Sequence, residues 1–166
     1  MNAKWALILG ASGGFGLSAC HYLSQKGFNL IMVFRERKKK LKQLEKDFEI
    51  IENNSSQIIT YNLNINDDAN RDYILSDIIE THQLHAKIHL FIHAIADGNI
   101  KAFVAGGTSN LTEEDLLHTS YSMGHSFSLW TQKLFKQQVF AKKASVIGLT
   151  SEGTEKVFKS YAAVAG

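Results

Sequence analysis

Gly10, Gly14 and Gly16, with Gly13 beside them, stand in the stretch Leu9-Gly10-Ala11-Ser12-Gly13-Gly14-Phe15-Gly16, between an apolar run (Trp5 to Leu9) and a segment of helical periodicity (Leu17 to Lys26). That order of residue types suits a diphosphate. Glycines allow a tight turn and a close approach of the backbone, and a helix N-terminus presents unpaired N–H groups and a partial positive charge. The spacing is G-x-x-x-G-x-G. Its position at the first strand-to-helix junction of an alternating chain favours a nucleotide cradle over a plain turn. A second group, Arg35-Glu36-Arg37-Lys38-Lys39-Lys40, closes the next apolar run. Arginine grips a phosphate bidentately, whereas Glu36, about 20 residues past the glycines, suits a ribose hydroxyl. A solvated helix start would read the same way.

Such groups need elements that bring them together. Phe15, Ala19, Tyr22 and Leu23 recur at helical spacing, and Gly27 closes that helix as a C′ glycine. Phe28 to Phe34 reads as a second buried strand. Leu41, Leu44, Phe48 and Ile51 mark an amphipathic helix, and Asn53 to Ser56 a loop. Gln57 to Leu63 is a third strand, and a helix with Leu75, Ile78 and Ile79 on one face follows. Ile88 to Ile92 is a fourth strand leading to His93-Ala94-Ile95-Ala96. Asp97 to Asn110, rich in glycine and small residues, reads as a mobile loop. Thr112 with Glu113, Glu114 and Asp115 predicts a helix start running to about Phe140, and Ala144 to Leu149 a fifth strand.

Strands alternating with helices predict an α/β, Rossmann-like fold: a doubly wound parallel sheet in three α/β/α layers, residues 1–166 forming one domain. Ligands bind such sheets beyond the carboxyl ends of the strands. The glycine turn, the Arg35 cluster, the stretch after His93 and Thr150-Ser151 all fall there. The bulk numbers narrow the classes. A net charge of +2 over 166 residues, 45% of them hydrophobic, argues against nucleic acid as the main partner. A single cysteine, Cys20, excludes an internal disulfide and fits a reducing compartment. No apolar run reaches the roughly 20 residues that cross a bilayer. A soluble, cytoplasmic protein is expected. His82, His85, His89, His118 and His125 lack metal-ligand spacing, and Cys20 is expected to be buried and inert.

Taken together, the chain resembles the short-chain dehydrogenase/reductase family along its whole length. Gly10 to Gly16 is similar to the family's cofactor loop, which implies that Gly10, Ser12, Gly13, Gly14, Phe15 and Gly16 bind the cofactor. Asn64-Ile65 stands where the family usually has Asp-Val against the adenine. Phe91-Ile92-His93-Ala94-Ile95-Ala96 replaces the common Asn-Asn-Ala-Gly. It resembles the Val-His-Ser-Ile-Ala/Gly variant of enoyl-acyl-carrier-protein reductases, whose likeness implies contacts from His93, Ala94, Ile95 and Ala96. The C-terminal stretch points to the same branch. Most members have Lys four positions after the site tyrosine, yet position 165 is alanine. Divergent enoyl reductases would place it at position 168, which the chain does not reach. Around Tyr121-Ser122-Met123 the usual asparagine is missing, as in enoyl reductases. The implied protein is a truncated form of a longer reductase, with further strands and substrate-covering helices to follow Gly166.

The resemblance gives the residues roles. Arg35 favours NADP over NAD, Glu36 being the complication. Tyr161 is the catalytic candidate: a phenol aimed at the carbonyl oxygen of a conjugated thioester stabilises the enolate. A free phenol has a pKa near 10 and needs a neighbouring cation to tune it, and the absent Lys would supply one. Ser151 either bonds the same carbonyl or caps the strand end. His93, following a buried strand, fits a hydrogen-bonded packing role better than catalysis. The implied substrate is an enoyl thioester on coenzyme A or acyl carrier protein, with a ketone reductase or a non-catalytic dinucleotide-binding module as alternatives. Family members commonly associate through the fourth and fifth helices, so Trp130, Leu134 and Phe135 form either a homo-oligomer face or core.

Overall fold

Apolar runs bounded by turn chemistry form five parallel strands in a computed structural model that describes residues 4–55, 57–104 and 110–165. Strands β1 (Trp5–Leu9), β2 (Asn29–Phe34), β3 (Ile58–Asn62), β4 (Ile88–His93) and β5 (Phe140–Gly148) pair in the order β3-β2-β1-β4-β5. Every residue of β1 and β2 is buried, as an inner parallel strand covered on both faces requires. Successive side chains point to opposite faces, so two cores result. Trp5, Leu7, Leu9, Ile31, Val33 and Phe91 join α3 (Asp68–Glu80) and α5 (Ser126–Lys136) on one side. Ala6, Ile8, Leu30, Met32 and Ile92 join α1 (Gly14–Gln25) and α2 (Lys38–Asn54) on the other. The layers are the expected α/β/α. Among the described residues no helix is long and apolar enough to cross a membrane.

Several boundaries and faces differ from the sequence expectation. In α1 the buried stripe is Gly16, Cys20, Leu23 and Ser24, while Phe15 and Tyr22 are exposed. The periodicity chose the wrong face because glycine and serine can lie against a sheet as closely as apolar residues do. Gly27 does end α1: its φ of 75° and the bonds Gly27 N–H to Ser24 O and Phe28 N–H to Leu23 O form a Schellman closure. Asn53 and Asn54 belong to α2 rather than to a loop. Ser56, residues 105–109 and Gly166, which the expected loops and chain end included, lie outside the described residues.

The long helix starts as predicted at Thr112, where Thr112 and Asp115 form a reciprocal capping box. It does not reach Phe140. α4 (Glu113–Ser120) passes through a π-turn at Tyr121–His125 into α5, which ends at Lys136. Gln138, at φ 54°, closes it with Gln138 N–H to Phe135 O and Val139 N–H to Leu134 O, a Schellman motif without the glycine that signals one. β5 therefore begins at Phe140 rather than Ala144. Lys142 and Lys143 masked its start, because the strand bulges there: Phe140 pairs with Ile88 and Ser145 already with Leu90.

Trp130 and Leu134 are fully buried, so the reading of Trp130, Leu134 and Phe135 as one association face fails for the first two. They are core, and Trp130 Nε1–H donates to the Ile65 carbonyl (3.2 Å). Phe135 alone is exposed. The stretch after β4 is also pinned where it is described. Asn99 N–H donates to Thr119 Oγ1 (3.0 Å), Lys101 Nζ meets Asp115 Oδ2 (2.6 Å), and Leu111 N–H donates to Ala102 O. Lys101 and the Thr112 N–H hold the Asp115 carboxyl below its ordinary range.

Candidate active site

The strand order reverses direction between β1 and β4, and there the carboxyl ends of two neighbouring strands part into a crevice. Gly10 leaves β1 with φ 82°, a conformation that L side chains avoid. A Cβ at Gly10 would strike the Ala94 carbonyl, and one at Gly16 the Gly10 carbonyl. The turn thus packs backbone on backbone, with Gly10 and Ala11 N–H groups both donating to Val33 O. Gly13 and Gly14 are different, since none of the described residues lies within 4 Å of either Cβ position. Two glycines close the turn and two leave open space in front of the α1 N-terminus, whose first N–H groups have no helical acceptor.

A cleft of about 620 Å³ lies over this turn. Ser12, Gly13, Gly14 and Phe15 form one wall and Ala94, Ile95 and Ala96 another. Met123 and Gly124 of the π-turn, with Thr119, form a third, and Ser151, Thr154 and Tyr161 complete it. π-Turns inside helices concentrate at functional sites. Here the turn sets Met123 and Gly124 toward the cleft while Ser122 and Ser126 point into the protein. A second hollow of about 240 Å³ shares Gly10, Ser12 and Ala94 to Ala96 with the cleft, and adds Arg35, Glu36, Asn64, Ile65 and Asp97. The Asn64 carboxamide oxygen accepts from Asn66 N–H (3.2 Å). Arg35, Glu36, Arg37, Lys39 and Lys40 also line a basic hollow alongside.

The structure brings together most of the residues singled out from the sequence. Gly10, Ser12, Gly13, Gly14, Phe15, Arg35, Asn64, Ile65, Ala94, Ile95 and Ala96 line one or other hollow, as do Ser151 and Tyr161. Gly16 sits beneath the turn rather than facing it. His93 does not line either hollow. It is buried, its Nε2 lies 2.6 Å from Ser126 Oγ, and Ser126 Oγ donates to Ser122 O (2.7 Å). Burial holds the ring neutral, pushing its pKa down to about 4. The packing reading of His93 stands, and a direct contact to a ligand in either hollow does not. Ser151 Oγ accepts from Gly153 N–H (3.2 Å), capping a short 3₁₀ turn (Glu152–Thr154), which leaves its own O–H to donate into the cleft. Tyr161 packs against Gly153 and edge-on against Phe158. Cys20 is buried, its thiol pushed up to about 12.

Other site residues were missed. Thr119, Met123 and Gly124 carry no local motif, and the π-turn has no sequence signature. Gly98 lines neither hollow but supports the cleft wall: its Cβ would meet Met123 Sδ, Val164 Cγ2 and Thr119 Cγ2 within about 3 Å, so glycine lets the post-β4 segment pass between α4 and α6 (Ala162–Ala165). Glu36 Oε1 accepts from Ser12 Oγ (2.9 Å), and its backbone is clasped by the Asn62 carboxamide. That links the glycine turn to the end of β2. Arg71 is almost wholly buried, its guanidinium bonded to Tyr121 OH, paired with Asp68 and stacked near the Trp130 ring.

A strand-order reversal with a glycine turn at the crevice is the arrangement of the dinucleotide-binding α/β folds. The short chain dehydrogenase family profile matches residues 4–164, and the chain belongs to that family. Solved structures agree on the fold. A short-chain dehydrogenase from Streptomyces avermitilis superposes with a TM-score of 0.76 at 20% identity, over 99% of this chain and 55% of its own. A short-chain dehydrogenase/reductase from Serratia marcescens gives 0.76 at 16% identity, over 98% and 61%. YwfH, an NADPH dependent reductase involved in bacilysin biosynthesis, gives 0.75 at 16%, over 99% and 61%. The chain therefore spans between 55% and 61% of the length of these three structures. No curated protein matches it in sequence.

Proposed function

We propose that this protein is an oxidoreductase that binds NADPH and reduces a conjugated enoyl thioester. The supporting observation is convergence: the open glycine turn, the β4 exit and the Ser151–Tyr161 segment all face one cleft, and the Arg35 hollow opens from the same turn. The open cradle in front of α1 fits a diphosphate. Ser12, Gly13 and Gly14 would hold that group, Asn64 and Ile65 the adenine, and Ala94 to Ala96 the middle of the molecule. When bound, the cofactor supplies the two electrons of the reduction. The chain's own part is electrostatic and positional. Tyr161 Oη and Ser151 Oγ donate hydrogen bonds to the thioester oxygen as negative charge gathers there. Phe15, Met123 and Leu149 keep the acyl segment out of water. The substrate would be carried on coenzyme A or an acyl carrier protein. That YwfH is described as NADPH dependent agrees with the cofactor assignment.

NADH is the second reading, favoured by Glu36, whose carboxylate lies in the hollow beside Ser12. Titration with both cofactors separates the two. Arg35→Ala is expected to weaken NADPH about tenfold or more, the worth of a charge-assisted hydrogen bond, and to leave NADH within about twofold. Equal affinities that ignore the substitution would overturn the 2′-phosphate assignment. For the reaction, short enoyl thioesters are compared with 3-oxoacyl thioesters. Turnover of the oxo compounds alone would make this a ketone reductase, and binding without turnover of either would make it a cofactor-binding module.

A further inference from the structure

We propose that Asp97 is a specificity-determining residue that competes with a cofactor's 2′-phosphate for Arg35, an inference that rests on the NADPH reading above. Asp97 lines the adenosine-side hollow together with Arg35, Glu36 and Asn64. Its Oδ2 lies 3.9 Å from Arg35 Nη2 and 3.3 Å from His118 Nε2. The other acid in the hollow is already engaged, Glu36 accepting from Ser12 Oγ at 2.9 Å. Asp97 is therefore the carboxylate that answers the Arg35 guanidinium.

Its placement is not a loose-loop accident. The next residue, Gly98, is wedged between Met123, Val164 and Thr119, and the one after is tied by Asn99 N–H to Thr119 Oγ1 (3.0 Å). The main chain on both sides is thus held, at Ala94 by its N–H to Leu9 O (2.9 Å) and at Asn99 by α4. The Asp97 side chain, 44% exposed, reaches over the hollow toward an Arg35 that is 63% exposed. A 2′-phosphate that took Arg35 would bring a dianion beside this fixed carboxylate. The two anions repel, and the guanidinium cannot serve both at full strength. A cofactor with a bare 2′-hydroxyl meets no such conflict. Asp97 thereby lowers the protein's preference for the phosphorylated cofactor, and its neutral isostere raises it.

The test uses adenosine 2′,5′-bisphosphate and 5′-AMP, which fill the adenosine side alone, with binding followed by titration calorimetry at low salt. Asp97→Asn is expected to tighten the bisphosphate about threefold to tenfold, the size of one partly screened charge pair, and to leave 5′-AMP within about twofold. Asp97→Glu keeps the charge and stays near wild type. In the Arg35→Ala background the gain from Asp97→Asn shrinks to what the direct repulsion of the two anions leaves, since there is no guanidinium left to contest. A gain that is undiminished without Arg35, an equal effect on both ligands, or no gain at all would each overturn the inference. If Arg35→Ala by itself leaves the bisphosphate-to-AMP ratio unchanged, the NADPH reading fails and takes this inference with it. If that ratio falls but Asp97→Asn does nothing, the NADPH reading survives and the inference alone is lost.

Discussion

Gly16→Ala is expected to lower dinucleotide affinity about a hundredfold and to reduce thermal stability, while Gly13→Ala leaves stability within about 2 °C of wild type. The contrast comes from what a methyl group would meet. At Gly16 it lands on the Gly10 carbonyl, which is backbone and cannot rotate away. Relief requires α1 to lift from the turn, carrying its N-terminal amides out of line with a diphosphate. Overpacking and backbone strain of this kind cost about 3 kcal/mol, and the same energy in binding is about a hundredfold. At Gly13 the backbone is extended, with φ −167°, and the Cβ enters open space. Alanine fits the fold there and trespasses only on the volume where a diphosphate would lie, so affinity falls about tenfold without loss of Tm. Thermal melts and NADPH titration of the two variants decide the matter. A Gly16→Ala protein that binds as tightly as wild type would refute the packed-turn account.

His93 makes the second large effect, on stability against pH. Its ring is neutral in the folded state, with burial pushing its pKa to about 4 against 6.5 when unfolded. Between those values the unfolded chain binds the extra proton, so stability rises with pH. The contribution is complete above about pH 6.5 and is lost as pH falls toward 4. The span of the shift corresponds to roughly 3 kcal/mol as an upper figure. Urea unfolding at pH 7.5 and pH 4.5 should show a steeper loss for wild type than for His93→Gln. A glutamine carboxamide can still hydrogen-bond with Ser126 Oγ, but it cannot take a proton. Parallel pH profiles for the two proteins would show that His93 does not titrate on unfolding, contrary to its burial. The readout is independent of any cofactor, because His93 lines neither hollow.

How far the residue pattern reached can be argued from the same groups. Gly10, Gly27 and Thr112 were legible because each answers a local demand: a positive φ, a helix exit, an N-cap. The buried runs of β1 and β2 were legible because an inner parallel strand needs apolar side chains on both faces. Tertiary context overruled the pattern where neighbours distant in sequence decide. The buried face of α1 is set by a sheet that accepts glycine and serine closely. Gln138 takes a left-handed conformation because Val139 must enter the core beside β4. Lys142 and Lys143 ride on a bulge at the sheet edge. His93 looked like part of a cofactor segment because its chain neighbours Ala94 to Ala96 line the cleft, yet strand alternation turns its side chain into the protein toward α5.

Local chemistry in the sequence, by itself, determined the alternating strands, the glycine turn and the helix caps, since each depends on residues within a few positions. Only the tertiary structure decided which side chains meet. It set Ser12 against Glu36, Asp97 between Arg35 and His118, and the π-turn across the cleft from the glycines. The physical reason is that these contacts join segments whose separation along the chain carries no periodicity. Their geometry follows from strand order, from the close packing of backbone on backbone at Gly10 and Gly16, and from the side chains packed against the Gly98 backbone.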